Sequence, residues 1–449
     1  MANCGTITPG FGGVKTGKLQ SDVVNEGGNY EPNCDAHMID ELKIDGLYDK
    51  ANLIMGPAGF NTGKLYSIVP EDRSGDFTVS RASKSSRVGS DGYIHYTDNN
   101  TPTLDYSKGE CPTLNVQPSS TNKIVYYKSF EDSYWTPTGL SVDTNGGNYY
   151  SSPFKDSSGN IVNCARKLVA SAANPKIELG TGIDMSGSAN SAKGYIIKPI
   201  NEKEYTLNGS PVNFDDETYG IGIEVIKLAD GWYYLTLAET SGSAEKNTLI
   251  GTSISSGDMC YLSYSQLEAQ QAATSPISDV TIDDGAEMSR AVEGIDITDF
   301  DIDTYLQGGG NLTVFTDVYI TPVGGYPRTF VIGSSNAGGG SSIGIGATIR
   351  DTSKMEYQFY DGTTKVNALS TESVPHHKGC IVIDQTNSTV KIFSNGTKIK
   401  EQTGITFDFS GYNDYIALAN TNIKYVEHKQ FMLYKTALTD AEAIKLTTP

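Results

Sequence analysis

Thr389-Val390-Lys391-Ile392-Phe393-Ser394-Asn395-Gly396-Thr397 is the stretch that decides how this chain is read. β-Branched and aromatic residues alternate with polar ones and then meet Asn-Gly, a pair that takes positive φ at both centres of a type I′ turn. The segment therefore predicts one arm of a β-hairpin and its two-residue loop. Working outward, similar strands are predicted over 312–320, 328–332, 355–359, 379–384 and 415–419. An earlier block repeats the pattern over 64–69, 76–79, 92–96, 123–127, 194–197, 222–228, 232–237 and 259–264. Many short strands with hardly any helix between them predict antiparallel sandwiches and not a parallel α/β sheet.

Helical periodicity shows in one place before the C-terminus. Met38, Ile39, Leu42, Ile44, Leu47 and Tyr48, then Leu53 and Ile54, fit a short amphipathic helix interrupted near Gly46. Residues 1–33, rich in Gly, Asn and Pro, read as an irregular arm. The expected fold is mainly β: that arm with its short helix, then two antiparallel β-sandwiches of jelly-roll or concanavalin-like type. The acidic, turn-rich stretch 275–300 marks the boundary between them.

A length of 449 residues is more than one core usually organises, so two or three domains are expected. The 48 Gly and 27 Tyr suit short strands and tight turns. A formal charge of −19 opposes any general affinity for nucleic acid, which needs clustered Lys and Arg. No apolar run approaches the roughly 20 residues that cross a bilayer, so no membrane insertion is expected. The opening MANCGTITPGFGG has no basic n-region and no apolar h-region, and synthesis in a cytoplasm is expected. Cys4, Cys34, Cys111, Cys164, Cys260 and Cys380 are scattered without a CxxC pair, and free buried thiols are expected. A Cys34/His37 metal pair lacks two further ligands at metal-site spacing.

Three stretches carry a resemblance. Gly63-Lys64-Leu65-Tyr66-Ser67 is followed by Asp76-Phe77-Thr78-Val79-Ser80-Arg81-Ala82-Ser83, Arg87-Val88 and Asp91-Gly92-Tyr93-Ile94. Leu104-Asp105-Tyr106 comes next, with Cys111-Pro112-Thr113-Leu114 and Gln117-Pro118-Ser119-Ser120-Thr121-Asn122. Gln266-Leu267-Glu268-Ala269, Ala273-Thr274-Ser275-Pro276-Ile277 and Ser289-Arg290-Ala291 complete the set. In this order the text resembles structural proteins of tailed phages, notably crAss-like phages and related phages of Bacteroidetes. Between the stretches, Asp230-Gly231-Trp232-Tyr233 is similar to a strand of their carbohydrate-binding-like sandwich. The last block, with 390–396 and the closing Ala437-Leu438-Thr439-Asp440-Ala441-Glu442-Ala443, looks like a concanavalin/laminin-G-like sandwich ending in a helical turn. The resemblance spans roughly 385 residues and leaves 1–62 unmatched.

What the resemblance implies is a virion structural protein in four parts. Residues 1–62 would anchor and oligomerise the chain, with Met38, Ile39, Leu42, Leu47 and Ile54 as the anchor contacts, and 63–120 would form a β-rich collar. A carbohydrate-binding-like sandwich over 121–280 and a concanavalin/laminin-G-like sandwich over 281–449 would be presented outward. Capsid or other virion proteins, host or mucus glycans and further copies of the chain are the expected partners, with a homotrimer favoured over a dimer. Heptads, collagen-like triplets and β-helix repeats are missing, which favours a short head fibre over a long tail fibre; a tail or collar fibre is the alternative.

Sugar sites use exposed rings that stack on pyranose faces beside amide and carboxylate groups. Trp135, Tyr149, Tyr150 and Tyr234 are the candidate rings, weighed against a core role for Trp135 and Trp232. If Tyr149-Tyr150 is extended, the two rings point to opposite faces. Acidic runs at 215–217, 283–284 and 296–303 read as solvated loops, since none has the Asp-x-Asp-x-Asn-Gly spacing of a calcium loop, so no metal and no cofactor is expected. His376-His377 reads as a solvated turn, and no His-Glu-x-x-His is present. Catalytic residues are therefore not assigned; a polysaccharide depolymerase would need two carboxylates facing across a groove.

Overall fold

The computed structural model describes residues 23–449 apart from 25, 27, 31, 58, 241–243, 279–285, 299, 322–325, 334–342, 351–352 and 424. The described residues form two antiparallel β-sandwiches with three α-helices at the margins.

The first sandwich pairs a six-stranded with a nine-stranded sheet. The six-stranded sheet runs Trp135–Thr138, Lys176–Leu179, Thr248–Gly251, Glu204–Leu207, Ser210–Asn213 and Thr218–Tyr219. The long central strands of its partner are Tyr233–Thr240, Asn190–Pro199, Gly257–Glu268 and Ile161–Ala170, with Tyr150–Lys155 beyond them. Tyr195, Ile197, Leu235, Leu262 and Leu267 are fully buried and belong to one apolar core with Tyr205, Leu207 and Leu249.

The second sandwich is discontinuous in sequence. Its eight-stranded sheet contains Thr397–Thr403, Thr389–Ser394, His376–Asp384, Leu312–Ile320 and Val426–Tyr434, then Thr113–Val116 and Leu104–Asp105, with Leu53–Met55 also on Val426–Tyr434. Its ten-stranded sheet joins Gly59–Asn61, Lys64–Leu65 and Phe77–Ser80 to Gly294–Ile297, Ile416–Ala419 and the strands from Arg328 to Leu369. The first sandwich is thus inserted into the second. The chain leaves and returns through a two-stranded neck in which Ser120, Thr121 and Asn122 pair with Arg290, Ser289 and Met288. Arg290 ties this neck down, donating to Pro118 O at 3.1 Å and Ser275 Oγ at 2.9 Å.

This topology corrects the expected collar. Strands between 63 and 120 are shared out: Lys64–Leu65, Phe77–Ser80, Leu104–Asp105 and Thr113–Val116 complete the second sandwich, whereas the hairpin Ser85–Val88 and Ile94–Thr97 joins the nine-stranded sheet of the first. Sheet edges gain hydrogen bonds by this exchange and are covered.

The anchor residues are corrected as well. The helix Pro32–Ile44 ends before Gly46, whose φ of 68° lets the chain turn, and packs on the outer face of the eight-stranded sheet. Met38, Ile39, Leu42, Leu47 and Ile54 are buried with Phe315, Met432, Tyr434 and Leu446 of the same chain. Leu53 and Ile54 lie in a strand and not in the helix. These side chains are spent on the chain's own core and offer no surface to another protein.

The quoted hairpin is as read: Ser394 pairs with Thr397, and Asn395 and Gly396 have φ of 45° and 76°. The closing helix Asp440–Thr447 begins with a capping box between Thr439 and Glu442. Cys34 and Cys111 form a disulfide, against the expectation of free thiols, while Cys164, Cys260 and Cys380 are free and buried. Cys4 and the arm before residue 23 lie outside the described residues.

Candidate functional site

Of the four candidate rings, two are core residues. Trp135 is 3% exposed, donates its Nε1–H to Tyr126 O at 2.8 Å and packs on Phe130. Tyr234 is equally buried, and its hydroxyl donates to Thr274 O at 2.7 Å. Trp135 presents no face to the surface, whereas Tyr234 lies in the wall of a cavity between the two sandwiches. Strand alternation explains both: each faces a covered side of its sheet, where a large ring contributes most by burial.

Tyr149 and Tyr150 are half-buried, but Tyr149 precedes the strand Tyr150–Lys155 with a φ of 51°, so the pair is not extended and strand alternation does not set the direction of its rings. Tyr149 lies over the Arg166 guanidinium, 3.9 Å from its ring centre, and Tyr150 lies beside Lys167, the next residue of the same strand. Arg166 is fully buried and clamps Glu131 through two bonds of 2.7 Å. Burial pushes the Glu131 carboxyl up, but the Arg166 hydrogen bonds outweigh it and hold the group below its ordinary range. With Arg166 committed in this way, Tyr149 serves as its cover.

Tyr150 belongs to an open cluster. Its ring is 5.0 Å from that of Tyr261 at 55°, and Tyr261 in turn stands 6.5 Å from buried Trp232. The Tyr150 hydroxyl donates to Asp143 at 2.7 Å, and Lys167 bridges Asp143 at 3.5 Å and Asp258 at 3.3 Å. That hydrogen bond from Tyr150 holds the Asp143 carboxyl below its usual range. Tyr261 pairs across the sheet with both Lys167 and Lys198, so two aromatic rings stand in a frame of two lysines and two aspartates. The rings supply apolar area at low entropic cost and the frame supplies donors and acceptors for hydroxyls. Sequence reading found Tyr150 but not Tyr261, Lys167, Asp143 or Asp258; the alternation within the strand read at 259–264 would have turned Tyr261 opposite to Cys260.

The acidic runs and the histidines have structural roles. Asp301 and Asp303 meet Asp414, a residue outside the run, within 4.8 Å. Asp414 accepts from the amides of Ile302 and Asp303, the latter at 2.9 Å, and so caps the short helix Ile302–Gln307. In the 215–217 run, Asn213 accepts from the amides of Asp215 and Asp216, and Glu217 pairs with Lys227. Residues 283–284 lie outside the described residues. His376 and His377 open a strand, which corrects the expected turn. His376 sits 2.6 Å from Asp317 and stacks on Tyr319, while His377 is buried against Ser353 O at 3.0 Å, with its pKa lowered by burial.

No protein-family model matches the chain, and no curated protein matches it. Among solved structures, the chain is similar to the CBM40 of the Ruminococcus gnavus IT-sialidase bound to α2,3-sialyllactose, at 16% identity and TM-score 0.28, covering 35% of this chain and 92% of that one. The NanB sialidase of Streptococcus pneumoniae is similar at 18% identity and TM-score 0.27, covering 33% and 26%. The binding domain of botulinum neurotoxin DC in complex with rat synaptotagmin II is similar at 13% identity and TM-score 0.26, covering 34% and 39%.

Proposed function

We propose that this chain is a structural protein of a tailed-phage virion, a short head fibre that adheres to glycans through its inserted sandwich and catalyses nothing. The sequence resemblance over residues 63–291 and in the last block supports the virion reading. The adhesive reading is carried by one observation: the half-exposed Tyr150–Tyr261 pair is framed by Lys167, Asp143 and Asp258. Two rings at an angle suit a shallow, weak contact with a sugar chain, and a homotrimer would multiply it by holding three such sites together.

The test joins two measurements. A reconstruction of the intact virion at side-chain resolution is expected to find the chain projecting from the capsid; a position at the tail or collar, or absence from the particle, would overturn the head-fibre reading. On a glycan array, the full chain is expected to give a defined set of hits that Tyr261→Ala weakens by about tenfold. Equal binding by the variant would remove the ring pair as the adhesive site.

A further inference from the structure

Between the two sandwiches lies a cavity of about 340 Å³ whose walls come from both. Glu224, Val225, Ile226 and Arg87 reach it from the first sandwich, Asp105, Tyr425 and Glu427 from the second, and Lys108 from the loop after Leu104–Asp105. The volume stands at the small end of the range of ligand cavities, roughly 300 to 1,000 Å³, with room for one or two sugar rings. Its shape is fixed from behind: Tyr425 donates its hydroxyl to Gln270 at 2.7 Å, and Gln117 accepts from the amide and hydroxyl of Ser275 at 3.0 Å.

Most of the charges around the cavity are already engaged. Asp105 accepts from the amides of Val88 and Ser107, each at 2.8 Å. Lys108 faces Glu427 at 3.5 Å, and Glu427 also accepts from Thr113 at 2.9 Å. Arg87 donates to Leu104 O at 3.2 Å. Glu224, exposed at the rim, has no hydrogen bond or ion pair among the described residues. Three acidic groups thus stand against two basic ones; Arg87 keeps guanidinium donors beyond its one bond, and Glu224 is the acidic group without a partner among the described residues. Such a site favours a ligand rich in donors and repels one that brings a further carboxylate.

We propose that this cavity is a second saccharide site, distinct from the Tyr150–Tyr261 surface, which takes a neutral or amine-bearing mono- or disaccharide unit and rejects a carboxylated one. Among donor-rich ligands, the choice of a sugar rests on the adhesive reading above. Glu224 accepts the ligand's ammonium or hydroxyl hydrogens, and Ile226, on the same face of the strand, meets the C–H face of the ring.

The test is calorimetric titration of the full chain with a glucosamine disaccharide, lactose and 3′-sialyllactose, repeated on Glu224→Gln and Tyr261→Ala. The glucosamine disaccharide is expected to bind, sialyllactose to bind at least about tenfold more weakly, and Glu224→Gln to cost about tenfold in affinity for the amino sugar. A component of the amino-sugar binding is expected to persist in Tyr261→Ala, which lacks the surface site, and to be lost when Glu224→Gln is added to it. If Tyr261→Ala abolishes binding and Glu224→Gln does not, the cavity inference falls while the adhesive surface stands. Sialyllactose binding as tightly as the amino sugar, or no binding of either uncharged or amino probe, would overturn the inference outright. Glu224 is exposed, so its conservative replacement leaves the fold intact, and an unchanged melting temperature checks this.

Discussion

Cys34, on the N-terminal helix, is bonded to Cys111, in the loop that follows Leu104–Asp105, with Cα atoms 5.5 Å apart and 77 residues between them in sequence. The bond closes a long loop and fixes both the helix and the segment that carries Lys108. Reduction, or Cys111→Ser, is expected to lower the unfolding free energy by about 2 to 4 kcal/mol, chiefly by freeing the unfolded chain. A denaturant titration with and without dithiothreitol checks this, alongside the gel mobility of the unreduced chain. Coincident curves and identical mobility would mean that the thiols are free.

Glu427 and His428 are neighbours on one strand and titrate in opposite senses. Burial, strengthened by the Asp105 charge and opposed by Lys108, pushes Glu427 up to about 7, while burial pulls His428 down to about 4. Folded Glu427 holds its proton more tightly than the unfolded chain, so its contribution is complete below about pH 4.5 and is lost as pH rises to 7. The contribution of His428 is complete above about pH 6.5 and is lost as pH falls toward 4. The melting temperature of Glu427→Gln relative to the native chain is therefore expected to climb from pH 4.5 to 7, and that of His428→Gln to climb in the other direction. Parallel pH profiles would show that neither residue is perturbed.

Gly379 and Tyr357 meet across the core of the second sandwich. A Cβ on residue 379 would stand 2.1 Å from the Tyr357 hydroxyl oxygen and 2.2 Å from ring carbons. Gly379→Ala is expected to cost about 1 to 3 kcal/mol by overpacking. Adding Tyr357→Leu should recover part of that loss, a non-additivity expected only of residues in contact. Additive losses in denaturant titrations would show that the ring does not rest on the glycine.

Leu42 is 5% exposed and packs with Phe315, Met432 and Tyr434 of the same chain. Leu42→Ala is expected to destabilise the isolated protein by about 2 to 5 kcal/mol. A variant that melts like the native chain would return this helix to the role of a surface anchor. Removing residues 1–62 would also strip Leu53–Met55 from the sheet, so such a truncation reads folding before it reads attachment.

Strand content was legible wherever one period ran long enough. The strands read at 312–320 and 389–394 match the observed elements, because their alternation and turn residues agree. The stretch 123–127 looked equally strand-like, yet it runs through turns against the first sandwich, where Ile124 and Tyr127 are buried as a covering loop. Pairing was illegible: nothing local in Leu53-Ile54-Met55 says that it will lie against Leu433, Met432 and Phe431. The disulfide is hidden for the same reason, since a separation of 77 residues carries no signature. The candidate site was half legible. Tyr150 was visible as an aromatic in a strand-rich region, but its frame is assembled from strands far apart in sequence.

The paired strands 120–122 and 288–290 have a mechanical consequence. A module hung from one strand can spin about its tether, and a surface bound to it would slip through any angle. Here the chain crosses four times, twice through the zipped neck and once on each side of the Ser85–Val88/Ile94–Thr97 hairpin, and the crossings share the load. A pull or twist applied at Tyr261 is therefore delivered to the second sandwich as torque, and the inserted module acts as a stiff lever with a fixed bearing.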